Sequence, residues 1–181
     1  NITSRFAAVY VDDCTAIITN TTLSHCNADL LAGAFLAIGS SLTIEDSALV
    51  GNSGYGAGAA MVFQRDGDER QTPTNIRRCL FANNTARSVV SNAGDSLADS
   101  SSAMGGGLYA SHLAAMNVEG CSFVGNVAGR AGGMLLYYIT RDGGGVTITR
   151  NVFFGNVAET PGGSSAGNAG RGGGLYVLQS A

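Results

Sequence analysis

A chain of 181 residues that is 45% apolar and only 13% charged is long enough to bury a sizeable core and too apolar for intrinsic disorder. Its 27 glycines follow no Gly-X-Y period, which excludes collagen; its ten basic residues are all scattered arginines in a net charge of −3, which leaves no footprint for nucleic acid. No apolar run approaches the roughly 18 residues of a membrane span, no leader segment is evident, and residues 1–181 read as a single domain, a piece of a longer chain or a mature product.

The predicted elements recur along the chain. Phe6-Ala7-Ala8-Val9-Tyr10 reads as a remnant of a glycine-led strand signature, and Ile18, Thr21, Leu23, Cys26 and Ala28 as the first copy of a second motif. Gly33-Ala34-Phe35-Leu36, then Ile44, Ser47, Leu49, Asn52 and Gly54, then Gly58-Ala59-Ala60-Met61 continue the alternation. A charged loop over 64–75 closes on Pro73, and the motif sharpens into Ile76-Arg77-Arg78-Cys79-Leu80-Phe81-Ala82-Asn83-Asn84-Thr85-Ala86. A Ser-, Ala- and Asp-rich loop, 87–104, precedes Gly105-Gly106-Gly107-Leu108-Tyr109 and the copy from Val118 to Ala128. Gly132-Gly133-Met134-Leu135, the copy from Ile148 to Ala158, a loop over 159–170 and Gly172-Gly173-Gly174-Leu175-Tyr176 complete the series. The shared Phe or Leu falls at 23, 49, 81, 123 and 153, at intervals of 26, 32, 42 and 30, so the variable length sits in loops outside the motifs.

Runs such as Val146-Thr147-Ile148-Thr149 alternate apolar and polar, are β-branched and are bounded by Gly or Asn, which is strand chemistry. Short strands recurring every ~30 residues, with one residue type at each equivalent place, predict an all-β parallel β-helix, a solenoid whose rungs stack ~4.8 Å apart. Five rungs give an axial length of roughly 20–25 Å. Phe81, Phe123 and Phe153, continued by Leu49 and Leu23, are expected as an internal apolar ladder. Asn52, Asn84, Asn126 and Asn156 are expected as an Asn ladder at a turn, in the left-handed conformation that Asn tolerates.

The pairing of Phe-x-x-Asn with Gly-Gly-aliphatic tracts resembles the repeat of the chlamydial polymorphic outer membrane proteins. The matching residues are Phe81-Ala82-Asn83-Asn84, Phe123-Val124-Gly125-Asn126 and Phe153-Phe154-Gly155-Asn156, with Gly106-Gly107-Leu108, Gly132-Gly133-Met134 and Gly173-Gly174-Leu175. The likeness covers about residues 76–177 well and 14–62 loosely, and similar repeats occur in extracellular proteins of algae and other protists. It implies a right-handed coil and a surface-exposed, adhesive role.

Cys79 and Cys121 hold one repeat position in consecutive rungs, which fits either a disulfide or two buried free thiols; a local bridge between Cys14 and Cys26 is a second candidate. No C-x2-C spacing marks a zinc site. Sequons at Asn1, Asn20 and Asn83 are candidate glycan acceptors, and Asn83 is expected to point outward because Asn84 points in. Asp66, Asp68 and Glu69 gather oxygen ligands for Ca²⁺ only weakly, without EF-hand or nonapeptide spacing, and a solvated loop tip fits them better. No cofactor is expected.

Catalysis on polysaccharide needs carboxylates and a cation clustered on one face of the coil. The sequence offers an adjacent pair at Asp12-Asp13, no Lys, and two histidines, His25 and His112, that do not share a repeat position. Tyr10, Tyr109 and Tyr176 do share one and are expected as a packing column. The reading that results is a non-enzymatic extracellular or cell-surface protein with a structural or adhesive role, its partners being other extracellular proteins, surface glycans or further copies of itself. Two alternatives stand beside it: a pectate-lyase-like polysaccharide lyase or hydrolase, and a subunit of an extracellular filament.

Overall fold

The computed structural model describes residues 2–64, 72–87, 103–138, 145–159 and 171–178. After a short lead strand, β1 (Ile2–Ser4), the first coil runs through β2 (Val9–Asp12), β3 (Thr15–Thr19), β4 (Thr22–Ser24) and β5 (Cys26–Ala28). The second coil repeats this as β6 (Phe35–Ile38), β7 (Ser41–Glu45), β8 (Ala48–Val50) and β9 (Ser53–Gly54). The third is β10 (Ala60–Phe63), β11 (Pro73–Arg77), β12 (Leu80–Ala82) and β13 (Thr85–Ala86). The fourth is β14 (Leu108–Ser111), β15 (Ala115–Glu119), β16 (Ser122–Val124) and β17 (Val127–Ala128). The fifth is β18 (Met134–Tyr137), β19 (Val146–Thr149), β20 (Val152–Phe154) and β21 (Val157–Ala158), after which β22 (Leu175–Leu178) starts another turn.

Corresponding strands pair in parallel into four sheets that run the length of the coil. Sheet I orders β2-β6-β10-β14-β18-β22, sheet II β3-β7-β11-β15-β19, sheet III β4-β8-β12-β16-β20 and sheet IV β1-β5-β9-β13-β17-β21. The expected parallel β-helix of about five rungs is therefore present. Pro73 opens β11, where it faces Ala115 while the pairing with β7 begins only at Thr74, so its missing N–H interrupts no ladder on that side.

In-register stacking turns repeat positions into columns. Leu23, Leu49, Phe81, Phe123 and Phe153 face one another in sheet III. The three rings stack face to face, with centroids 4.7 and 4.9 Å apart and planes within 5° and 8°. Ile18, Ile44, Ile76, Val118 and Ile148 line sheet II in the same way. One inward column of that sheet contains a polar residue: Thr74 lies between Leu42 and Met116, is 1% exposed, and its hydroxyl has no hydrogen-bond partner. An unsatisfied buried hydroxyl costs about 1–3 kcal/mol. Thr74→Val is therefore expected to raise stability by about 1 kcal/mol, read as a gain of about 2–4 °C in the melting midpoint. A lower midpoint would mean that the hydroxyl finds a partner in solution.

Among the described residues, corners of the coil are turned by single residues with positive φ. After sheet I these are Asp13, Gly39, His112 and Tyr138; after sheet II, Asn20, Asp46, Arg78, Gly120 and Arg150; after sheet III, His25, Gly51, Asn83, Gly125 and Gly155. This corrects one expectation. The ladder residues Asn52, Asn84, Asn126 and Asn156 are not the left-handed ones; the residue before each of them is. The bend is made first, and the Asn that follows aims its amide back along the coil axis, where it can bond two rungs at once.

The tyrosine column is also corrected in detail. Tyr10, Tyr109 and Tyr176 do share a column of sheet I, but Leu36, Met61 and Leu135 occupy its other rungs, so the tyrosines do not stack on one another. Tyr109 and Tyr176 join a second apolar layer on the outer side of the sheet, with Leu36 and Leu135 fully buried in it, while Tyr10 is exposed beside Phe6.

Candidate functional site

Charge gathers at the corner where sheet II turns into sheet III. Strand alternation points Leu42 and Ile44 inward and Glu45 outward, and the register then sets Glu45, Arg77 and Glu119 side by side on consecutive rungs. The corner residues Asp46 and Arg78 follow them directly. Arg78 donates from Nε and Nη2 to the two carboxylate oxygens of Asp46 at 2.7 and 2.9 Å, and from Nη2 to Glu45 at 3.3 Å. Arg77 reaches Glu45 at 3.5 Å, and Arg150 reaches Glu119 at 3.4 Å. The hydrogen bond from Arg78 holds the Asp46 carboxyl below the usual carboxylate range, and the same contact raises the guanidinium. These pairs are solvent-exposed and contribute little stability each, about 0–1 kcal/mol, but they favour the correct pairing of rungs over slipped ones.

Beside this stripe runs a shallow groove, lined by Asn20, Thr22, Asp46, Arg78, Leu80 and Ser122 among others. Its hydroxyl, amide and ion-pair groups can hydrogen-bond a polar ligand. General acid catalysis calls for a carboxyl that stays protonated near neutral pH. Asp46 is shifted the opposite way.

Sequence reasoning missed this cluster, although Glu45-Asp46-Ser47 and Arg77-Arg78-Cys79 occupy identical offsets in consecutive copies. That alignment was the available signal. The pair that was singled out, Asp12-Asp13, lies at a different corner, where Asp12 accepts a hydrogen bond from the Tyr10 hydroxyl at 2.9 Å. The histidines are separated as expected: His25 packs against Gly51 at one corner, and His112 stacks on Tyr138 at another, ring centroids 5.3 Å apart.

The Asn ladder forms as anticipated and is fully bonded. The Cys26 N–H donates to Asn52 Oδ1 at 3.0 Å, and the Asn52 N–H to Asn84 Oδ1 at 2.9 Å. The Asn84 N–H donates to Asn126 Oδ1 and the Asn126 N–H to Asn156 Oδ1, both at 3.0 Å. Each of these amides also donates Nδ2 to a carbonyl of the preceding rung, as Asn84 does to Leu49 at 2.9 Å. A second ladder, not anticipated, lies under the groove. In it the Thr21 N–H donates to Ser47 Oγ at 3.1 Å, the Cys79 N–H faces Cys121 Sγ at 3.4 Å, and the Cys121 N–H donates to Asn151 Oδ1 at 2.7 Å.

All four cysteines follow a left-handed corner residue directly, and all four are free thiols. Neither candidate disulfide is formed. Cys14 and Cys26 belong to different corners, where their N–H groups meet Ser40 and Asn52, and in-register thiols such as Cys79 and Cys121 point the same way rather than at each other. Among the candidate acceptors, Asn20 and Asn83 are exposed corner residues, and Asn84 is buried beside Asn83. Asn1, the weak Ca²⁺ candidates Asp66, Asp68 and Glu69, and most of the loops 64–75, 87–104 and 159–170 lie outside the described residues. Among the described residues no group of three or more His, Cys, Asp or Glu could hold a metal ion, and no helix is long and apolar enough to cross a membrane.

A family model described as "Right handed beta helix region" matches residues 7–181. No curated protein and no solved structure matches the chain.

Proposed function

The chain belongs to the right-handed β-helix family, and we propose that it serves there as a non-catalytic scaffold of an extracellular or cell-surface protein, with a structural or adhesive role. The observation that carries this reading is the mutual neutralisation of the outer charge stripe. Arg78 is spent on Asp46 and Glu45, Arg77 on Glu45, and Arg150 on Glu119. A stripe so arranged fixes rungs and presents a smooth polar wall; it leaves no poised acid facing a free base. The tracts that resemble the chlamydial surface repeat support an adhesive rather than a purely internal role, and the exposed sequons at Asn20 and Asn83 suit a glycoprotein.

A second reading keeps one observation of its own. Glu45, Asp46, Arg77 and Arg78 converge on one outer face beside a groove, which is what a lyase or hydrolase acting on acidic polysaccharide would need. The two readings part on a direct assay. Purified chain incubated with uronate-containing and neutral polysaccharides is expected to release no new reducing or unsaturated ends, while it is retained on glycan-coated or cell surfaces. Turnover that disappears in Asp46→Asn would establish the enzyme instead. Light scattering on the same preparation separates an adhesive monomer from a filament subunit.

A further inference from the structure

The groove floor contains a feature that neither reading uses. Cys79 and Cys121 are successive members of the ladder beneath it, 2% and 1% exposed, and Cys79 lines the groove itself. The strands on either side are in register, Arg77 with Glu119 and Leu80 with Ser122, so the two thiols stand one rung apart. A rung is about 4.8 Å. That is far wider than a disulfide of about 2.05 Å and close to twice a metal–thiolate bond of about 2.3 Å.

We propose that Cys79 and Cys121 form a two-coordinate site for a soft monovalent metal ion, copper(I) or silver(I), held as a sulfur–metal–sulfur bridge between the third and fourth coils. Thiolates select such ions over hard ones. The lack of a third and fourth ligand excludes tetrahedral zinc, since among the described residues no group of three or more His, Cys, Asp or Glu is present. The contacts that hold the sulfurs are weak ones: Cys79 Sγ lies against the carbonyls of Arg77 at 3.1 Å and Ile44 at 3.5 Å, and Cys121 Sγ against those of Glu119 at 3.5 Å and Ile76 at 3.6 Å. On binding, two S–H bonds break, two S–metal bonds form and two protons pass to solvent; the ion keeps its oxidation state. The Cys79 N–H, 3.4 Å from Cys121 Sγ, remains to support the thiolate. The other two cysteines stand alone at separate corners, beside Ser40 and Asn52.

The test uses the full chain carrying Cys14→Ser and Cys26→Ser, titrated with silver(I) in buffer free of thiols and chloride and read by native mass spectrometry. One silver ion per chain is expected, with affinity falling by about a hundredfold or more when Cys79→Ser or Cys121→Ser is added. Serine is the ladder's own residue at Ser47, so these variants keep the fold, which circular dichroism checks. A folded parent that retains no silver overturns the proposal, and so does uptake unchanged by loss of Cys79. As an independent readout on the unmutated chain, silver is expected to protect Cys79 and Cys121 from alkylation during brief unfolding. Protection confined to Cys14 overturns the site.

Discussion

Phe123→Ala is expected to destabilise the chain by about 3–5 kcal/mol. Phe123 is fully buried and is the middle ring of the stack, with Phe81 at 4.7 Å on one side and Phe153 at 4.9 Å on the other. Truncation removes one side chain but breaks both stacking contacts, each worth about 0.5–1.5 kcal/mol beyond burial. It also opens a cavity that the coil cannot close, because the rung spacing is fixed by backbone hydrogen bonds on all four sheets. The drop is to be read as a lower denaturant midpoint at unchanged slope. Phe123→Leu is the control and is expected to cost well under half as much, since Leu49 and Leu23 already fill this column. Equal losses for the two variants would refute the stacking argument.

Asn84→Ala is expected to cost about as much, for a different reason. Asn84 Oδ1 accepts the N–H and the Nδ2 of Asn52 at 2.9 and 3.0 Å, and its Nδ2 donates to the Leu49 carbonyl and to Asn126 Oδ1, both at 2.9 Å. Alanine leaves the Asn52 N–H buried without a partner, at about 1–3 kcal/mol, and removes the side-chain bonds to the Leu49 carbonyl, Asn52 Nδ2 and Asn126 Oδ1 as well. Asn84→Asp should fare no better, because a carboxylate cannot donate to the Leu49 carbonyl and would face the Asn126 oxygen. Hydrogen exchange offers a local readout: the Asn52 amide should lose protection before amides of the Ile76 column. Uniform loss across all rungs would show that the ladder acts globally and has no local share.

The columns were legible because the repeat is written in residue types. Phe81, Phe123 and Phe153, and Asn84, Asn126 and Asn156, carry the same letters at the same offsets, and in-register stacking converts equal offsets into contact. The bend was misplaced by one residue because Asn is a familiar left-handed residue, and no letter marks His25, Asn83 and Gly125 as one conformational class. The charge stripe escaped notice because Glu45-Asp46 and Arg77-Arg78 are opposite in sign, so they look unlike in an alignment that rewards similarity. Complementarity across rungs is invisible to it. Thr74 was hidden in the same way, an inward position filled by a polar residue where strand alternation predicts an apolar one.

The sequence by itself determined the coil: its strand alternation, its repeated Phe, Asn and Gly, and hence the number of rungs and the ladders inside them. Only the tertiary structure decided how the outer wall is arranged. Whether Arg78 is a free cation or the partner of Asp46, and whether Cys79 and Cys121 are bridged or merely neighbours, depends on side-chain directions across a gap of about 4.8 Å. Offsets in the chain state that two residues share a column. They do not state which atoms face each other within it, and there the chemistry is set.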